Sequence, residues 1–316
     1  MTYLLLVVGL LLLLGGAEFL VKGAAGLASR LGISPFLIGL TLVGFGTSSP
    51  ELVASLQGAF EGYPGIAVGN VIGSNIANIL LILGASGLIF PLLCDRNVLK
   101  RDGTMMLLAA AILIAVCLMG ELSRAAGFAF LALLAVYLVY TYRADKKGQD
   151  GAGELHAAEA EFLKARHPMS LVIEIVMAAG GLVSLVVGAS LLVDAAVEIA
   201  TGLGVSDSVV GLTIVAVGTS LPELATSVLA AFRRKADIAI GNVVGSNIFN
   251  VLGIAGVVAA VKPVPIPGDI ASFDIWVMGA ASILFMVFAW SGARIGRVEA
   301  LLLLIGYGAY VTFLLR

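Results

Sequence analysis

The chain has 316 residues, 60% hydrophobic and only 12% charged, with a formal net charge of −2 and a mean hydropathy of +1.10. Soluble domains carry about 45–50% apolar and about 25% charged residues, so this composition excludes a water-soluble fold. No basic stripe with interleaved aromatics points to nucleic acid, and Cys94 and Cys117 stand alone, outside any metal or disulfide spacing.

A membrane-spanning helix needs about 20 predominantly apolar residues. Hydropathy places spans at 3–22, 34–60, 66–90, 104–120 and 125–142, then at 170–194, 206–232, 238–260, 274–291 and 298–315. The first run lacks a basic flank and a small-residue cleavage site and ends at the ionisable Glu18, so it reads as a retained span. Between Arg143 and Pro168 the composition turns polar, which marks a solvated linker. His156 and His167 lie in it, too isolated for a metal site. The expected organisation is residues 1–142 as one five-helix unit, 143–168 as the linker and 169–316 as a second five-helix unit.

The two units are copies. Gly39-Leu-Thr-Leu-Val-Gly-Phe-Gly-Thr-Ser-Ser-Pro-Glu51 recurs as Gly211-Leu-Thr-Ile-Val-Ala-Val-Gly-Thr-Ser-Leu-Pro-Glu223, with nine of thirteen positions identical. Gly69-Asn-Val-Ile-Gly-Ser-Asn-Ile-Ala-Asn-Ile79 recurs as Gly241-Asn-Val-Val-Gly-Ser-Asn-Ile-Phe-Asn-Val251 at the same offset of 172 residues. Five spans per copy make the second enter the membrane from the opposite side, the inverted repeat of many secondary transporters. The expected fold class is therefore all-α integral membrane, with ten transmembrane helices in two inverted five-helix repeats and discontinuous helices at the ion site. Ten spans put every Lys and Arg except Arg124, Lys262 and Arg316 on one face. By the positive-inside rule the linker is then cytoplasmic and both termini are external, as expected of a multi-pass protein of the cell (inner) membrane.

Glu51 and Glu223 each fall within an apolar span, where an acidic side chain costs about 2.5–3.5 kcal/mol on insertion scales. No Lys or Arg occurs at that depth in the repeat motifs, so a bound cation is the economical partner. Thr47 and Ser48 precede Glu51 by four and three residues, as Thr219 and Ser220 precede Glu223, and each trio shares one helix face. Pro50 and Pro222 supply no backbone N–H, which should leave the Gly46 and Gly218 carbonyls without an intrahelical donor. Asn70, Ser74 and Asn78 share a second face, repeated as Asn242, Ser246 and Asn250, while Gly73 and Gly245 permit close helix packing. Oxygen donors without thiolate or imidazole point to Na⁺, Ca²⁺ or Mg²⁺, and the flexible set of 6–8 oxygens that Ca²⁺ takes suits them best. Two carboxylates balance one Ca²⁺ or two Na⁺, so one cavity would hold either in competition. That competition is the basis of antiport.

At these residues the chain resembles the sodium/calcium exchanger family of the calcium:cation antiporters, over essentially the whole membrane domain. Gly-Thr-Ser-X-Pro-Glu paired twice with Gly-Ser-Asn-Ile-X-Asn carries the resemblance. The resemblance implies electrogenic exchange of several Na⁺ for one Ca²⁺ by alternating access. It implies ion coordination by Thr47, Ser48, Glu51, Ser74 and Asn78 and by Thr219, Ser220, Glu223, Ser246 and Asn250, with the Gly44 and Ala216 carbonyls as further ligands. Ser49 departs from the apolar residue of many relatives. Asn250 departs from the Asp of some, including potassium-dependent ones, and the linker is too short for the calcium-sensing domains of animal relatives. Glu18, paired by the repeat with Ser190, is either a gating residue or a snorkelling one. A proton-coupled calcium antiporter and a cation channel use the same oxygens and stay open on sequence alone. An enzyme is not expected, because no nucleophile pairs with a His. No cofactor beyond the transported Ca²⁺ and Na⁺ is expected. The partners are those ions and the lipid bilayer, with one copy of the chain sufficient for the site.

Overall fold

A computed structural model describes residues 2–30, 47–94, 96, 99–146, 170–204, 207–232 and 236–315, which are predominantly helical. In chain order, α1 is Thr2–Arg30, α2 is Ser49–Glu61, and α3 is Pro64–Ile89, which includes a π-helical stretch at Ala77–Ile82. α4 is Leu99–Leu118, α5 is Arg124–Lys146 and α6 is Leu171–Leu203. α7 joins Asp207–Val210, a π turn at Gly211–Val215, and Ala216–Thr219, and α8 is Leu221–Phe232. α9 joins Ala236–Phe249, a π stretch at Asn250–Ala255, and Gly256–Val261. α10 is Ile270–Gly292 and α11 is Arg297–Leu314.

Among the described residues seven helices are long and apolar enough to cross a membrane. α3 and α9 lie inside: 94% and 83% of their most apolar stretches are buried, against 17% to 44% in the other five. The outer helices turn Leu, Val and Phe side chains outward, as lipid-facing surfaces do. The expected span 206–232 is not one helix but two, α7 and α8, broken at Ser220 just ahead of Pro222. In the expected span 34–60, residues 34–46 lie outside the described residues, as do Gly44 and Gly46. The linker stretch 147–169, with both histidines, lies outside them too, as does the side chain of Glu18. α1 and α5 run past their expected ends at 22 and 142, because helix formers such as Ala24, Ala25 and Ala144 continue the helix after the apolar run stops.

The ends of the helices follow from local chemistry. α2 stops where Gly62 takes φ +85°, a left-handed conformation that costs a Cβ-bearing residue energy. The N–H groups of Gly62 and Tyr63 then close onto the carbonyls of Ala59 and Gly58. Pro64, whose missing N–H costs nothing at a first helical turn, starts α3.

Two short antiparallel ribbons tie the halves together. β1 (Leu92–Leu93) pairs with β4 (Arg294–Ile295), with Leu92 opposite Ile295. β2 (Glu121–Leu122) pairs with β3 (Val264–Pro265), with Leu122 opposite Val264. Each ribbon takes one strand from each half, and β3 stands at the 172-residue offset from β1. α1 and α6 run antiparallel: Thr2 Oγ1 donates to Glu198 Oε1 at 2.6 Å and Ser184 Oγ to the Leu12 carbonyl at 2.8 Å. Leu12 and Ser184 are themselves repeat partners. α3 packs on α7 at backbone distance, since a Cβ on Gly73 would stand 2.7 Å from the Leu212 carbonyl. The same expectation for Gly245 finds no described heavy atom within 4 Å; Leu40, the repeat counterpart of Leu212, lies outside the described residues.

Candidate cation site

The helix breaks at Ser48 and Ser220 are near copies, with φ/ψ of −90°/8° and −83°/7°. Each places a serine hydroxyl and, three residues on, a glutamate in the first turn of a new helix. The hydroxyls cross between halves. Ser48 Oγ donates to Glu223 Oε1 at 3.0 Å, and Ser220 Oγ donates to Glu51 Oε1 at 2.9 Å. Both glutamates are fully buried, and no cationic side chain acts on either among the described residues. The crossed contacts bring the two carboxylates together at the starts of α2 and α8.

The asparagines of the second motif hold this arrangement in place. Asn70 Nδ2 donates to the Glu51 carbonyl at 2.9 Å and to Ser55 Oγ at 2.8 Å. Asn242 Nδ2 donates to the Glu223 carbonyl at 3.3 Å and to Ser227 Oγ at 3.1 Å. Asn70 and Asn242 thus serve the backbone of the glutamate helices, one helix being pinned to the next in each half. Ser55 and Ser227 were not singled out from the sequence. They lie four residues after each glutamate, on the same face and at the same 172-residue offset, which is the signal that finds them.

Of the ten expected ligands, Ser48 and Ser220 are engaged with the carboxylates. Thr219 Oγ1 donates to Asn70 Oδ1 at 3.0 Å and lies close to the Val215 and Ala216 carbonyls. Ser74 Oγ donates to the Ala216 carbonyl at 3.4 Å. The other six, Thr47, Glu51, Asn78, Glu223, Ser246 and Asn250, each keep a buried oxygen that makes no hydrogen bond within the protein: Thr47 Oγ1, Glu51 Oε2, Asn78 Oδ1, Glu223 Oε2, Ser246 Oγ and Asn250 Oδ1. The hydroxyls of Thr47 and Ser246 lie beside the Glu223 carboxylate. The π stretch carrying Asn78 packs on α8, which bears Glu223, and that carrying Asn250 packs on α2, which bears Glu51. Buried oxygens without donors cost about 1–3 kcal/mol each, more when charged, unless a cation or donor meets them. Hard oxygens of this kind suit a hard cation, and π-helical insertions gather at functional sites.

The freed carbonyl expected at Gly218 is not free. The chain tightens at Ser220, and a capping backbone N–H turns onto the Gly218 oxygen while Ser220 N–H bonds the Ala216 oxygen at 3.1 Å. Proline removes one donor, and the tighter turn at Ser220 supplies another.

A family model described as sodium/calcium exchanger protein matches residues 1–143 and 173–316, which is the whole chain apart from the polar middle. The chain belongs to the sodium/calcium exchanger family. Among curated proteins it is similar to the putative antiporter CaxA of Alkalimonas amylolytica, at 37% identity over 96% of this chain and 95% of the relative. It is also similar to the sodium/calcium exchanger MaX1 of Methanosarcina acetivorans, at 34% identity over 99% and 98%. Among solved structures, the sodium-calcium exchanger NCX_Mj matches with a TM-score of 0.68 at 34% identity, covering 99% of both chains. Membership in this family, with apolar helices long enough to span a bilayer, makes the chain a multi-pass membrane cation antiporter, and a transporter rather than an enzyme.

Proposed function

We propose that this exchanger moves Ca²⁺ against Na⁺ by alternating access, with net charge carried because more than two Na⁺ return for each Ca²⁺. The observation that carries the reading is the reciprocal pair of contacts, Ser48 to Glu223 and Ser220 to Glu51, together with Glu51 Oε2, Asn78 Oδ1 and Asn250 Oδ1, buried oxygens that make no hydrogen bond within the protein. Thr47, Ser48, Glu51, Ser74 and Asn78 with Thr219, Ser220, Glu223, Ser246 and Asn250 form the ion site. Two carboxylates neutralise one Ca²⁺ or two Na⁺, and further Na⁺ is held on neutral oxygens. The transported ions are the only ligands required.

Ten spans in two inverted repeats, residues 1–142 and 169–316 about a cytoplasmic linker at 143–168, provide the symmetry. Both termini then lie outside the cell membrane. The antiparallel course of α1 and α6, the exchanged strands of the two ribbons and the common 172-residue offset support this reading. An inverted pair of half-sites lets the same oxygens face either side as the surrounding helices move.

Vesicles loaded with Na⁺ and diluted into Na⁺-free buffer, with pH and potential clamped, should take up Ca²⁺, and uptake should respond to an imposed potential. Uptake driven by a proton gradient but not by Na⁺ would replace the coupling ion. Ca²⁺ flux indifferent to any opposing ion would indicate a channel.

A further inference from the structure

Outside the ion site, the repeat buries a second pair of carboxylates, and the two have unlike partners. Asp102 and Asp274 stand at the same 172-residue offset and are 7% and 2% exposed. Each accepts a tyrosine hydroxyl at 2.8 Å, Asp102 from Tyr137 and Asp274 from Tyr310. Asp102 also receives two bonds from the Arg101 guanidinium, at 2.8 and 2.9 Å, a bidentate ion pair. The repeat counterpart of Arg101 is Phe273, so Asp274 has no such cation.

The groups facing Asp274 confirm the deficit. On α11 the group is Tyr310, beside which Tyr307 lies one turn earlier; α3 contributes none, and on its own segment there is Asp269. No lysine or arginine among the described residues acts on it. Of the cations nearest in sequence to this end of the fold, Lys262 donates to the Phe60 carbonyl and Arg124 to the Val261 carbonyl.

Two further groups near this cluster each carry a buried oxygen that makes no hydrogen bond within the protein. Asn75 of α3 is 2% exposed and directs its amide onto Met278 Sδ at 3.7 Å, one turn from Asp274 on the same face of α10, yet its Oδ1 has no donor. The Tyr307 hydroxyl also makes no hydrogen bond within the protein. An ionisable group inside a membrane helix without a fixed countercharge needs a mobile one. Tyr310 donates one hydrogen bond to the carboxyl, and no fixed cation among the described residues neutralises it.

We propose that Asp274, held by Tyr310 and without a cation partner, is a proton-binding site separate from Glu51 and Glu223, while its repeat counterpart Asp102 is ion-paired to Arg101. The site lies where α10 begins, five residues after the exposed Asp269, and its charge changes by one as the proton binds or leaves. It stands or falls independently of which ions the exchanger carries.

Infrared difference spectra of the full chain in lipid vesicles, taken from about pH 4 to about pH 9, read protonated carboxyl groups directly. A titrating carboxylic acid band should be present, missing in D274N, retained in D102N and displaced in midpoint in Y310F, which keeps the Asp274 carboxyl should D274N fail to fold. The proposal is overturned if D274N removes no titrating band, if D102N removes the same one, or if Y310F leaves the midpoint unmoved. It is equally overturned if Na⁺ at constant pH, rather than a change in pH, abolishes the band.

Discussion

Replacing Ser220 by Ala removes one hydroxyl and nothing else from the contact with Glu51 Oε1, which is 2.9 Å long and fully buried. A hydrogen bond to a charged group contributes about 1.5–3 kcal/mol. At about 1.4 kcal/mol per factor of ten, the half-saturating Ca²⁺ concentration should rise roughly 10- to 150-fold. Ser48→Ala removes the equivalent contact to Glu223, at 3.0 Å, and should cost a similar amount. The double variant should depart from additivity by about 0.5 kcal/mol or more, because both serines serve one cluster of charge. Initial rates of Ca²⁺ uptake into Na⁺-loaded vesicles, measured against external Ca²⁺, give all three values. Unchanged half-saturation in either single variant, or a large penalty in one and none in the other, would refute the reciprocal site.

Asn70→Ala leaves the Ser55 hydroxyl and the Glu51 carbonyl without their shared donor, so thermal unfolding in detergent should shift down by the equivalent of about 1–3 kcal/mol. Asn242→Ala, whose contacts are longer at 3.1 and 3.3 Å, should cost less in the same assay. Gly73→Leu drives a side chain into the Leu212 carbonyl and the Ala216 Cβ, both under 3.0 Å from a Cβ, and should prevent a stable fold, read as loss of a monodisperse peak on size exclusion. Tyr137→Phe should lower stability by about 1–3 kcal/mol while leaving Ca²⁺ half-saturation unchanged, because the Asp102 cluster is apart from the proposed ion site.

The glutamates were legible because charge inside an apolar run is costly and the motif occurs twice, which pairs Glu51 with Glu223 in the sequence itself. Their cross-half serine contacts were not legible as contacts, since helical spacing suggests that Ser48 and Ser220 serve the glutamates three residues away. The observed bonds run instead to the glutamates of the other half. Ser55 and Ser227 passed unnoticed because a serine in a membrane helix is ordinary. The ribbons escaped because strands of two residues, such as Leu92–Leu93, carry no alternation to detect. The π stretches at Ala77–Ile82 and Asn250–Ala255 have no composition of their own, and only packing of adjacent helices against them sets the extra residue. Helix ends were misplaced where hydropathy and helix propensity part company, as at residues 23–30 of α1.

Equilibrium Ca²⁺ binding to the purified full chain, titrated at a series of Na⁺ concentrations and repeated with Glu51→Gln and Glu223→Gln, tests the shared site most directly. The amide keeps the shape of each side chain and removes its charge. Ca²⁺ affinity should fall as Na⁺ rises, with more than one Na⁺ displacing each Ca²⁺, and high-affinity binding should vanish in both variants. Ca²⁺ binding that ignores Na⁺, or that survives intact in both variants, would contradict the account.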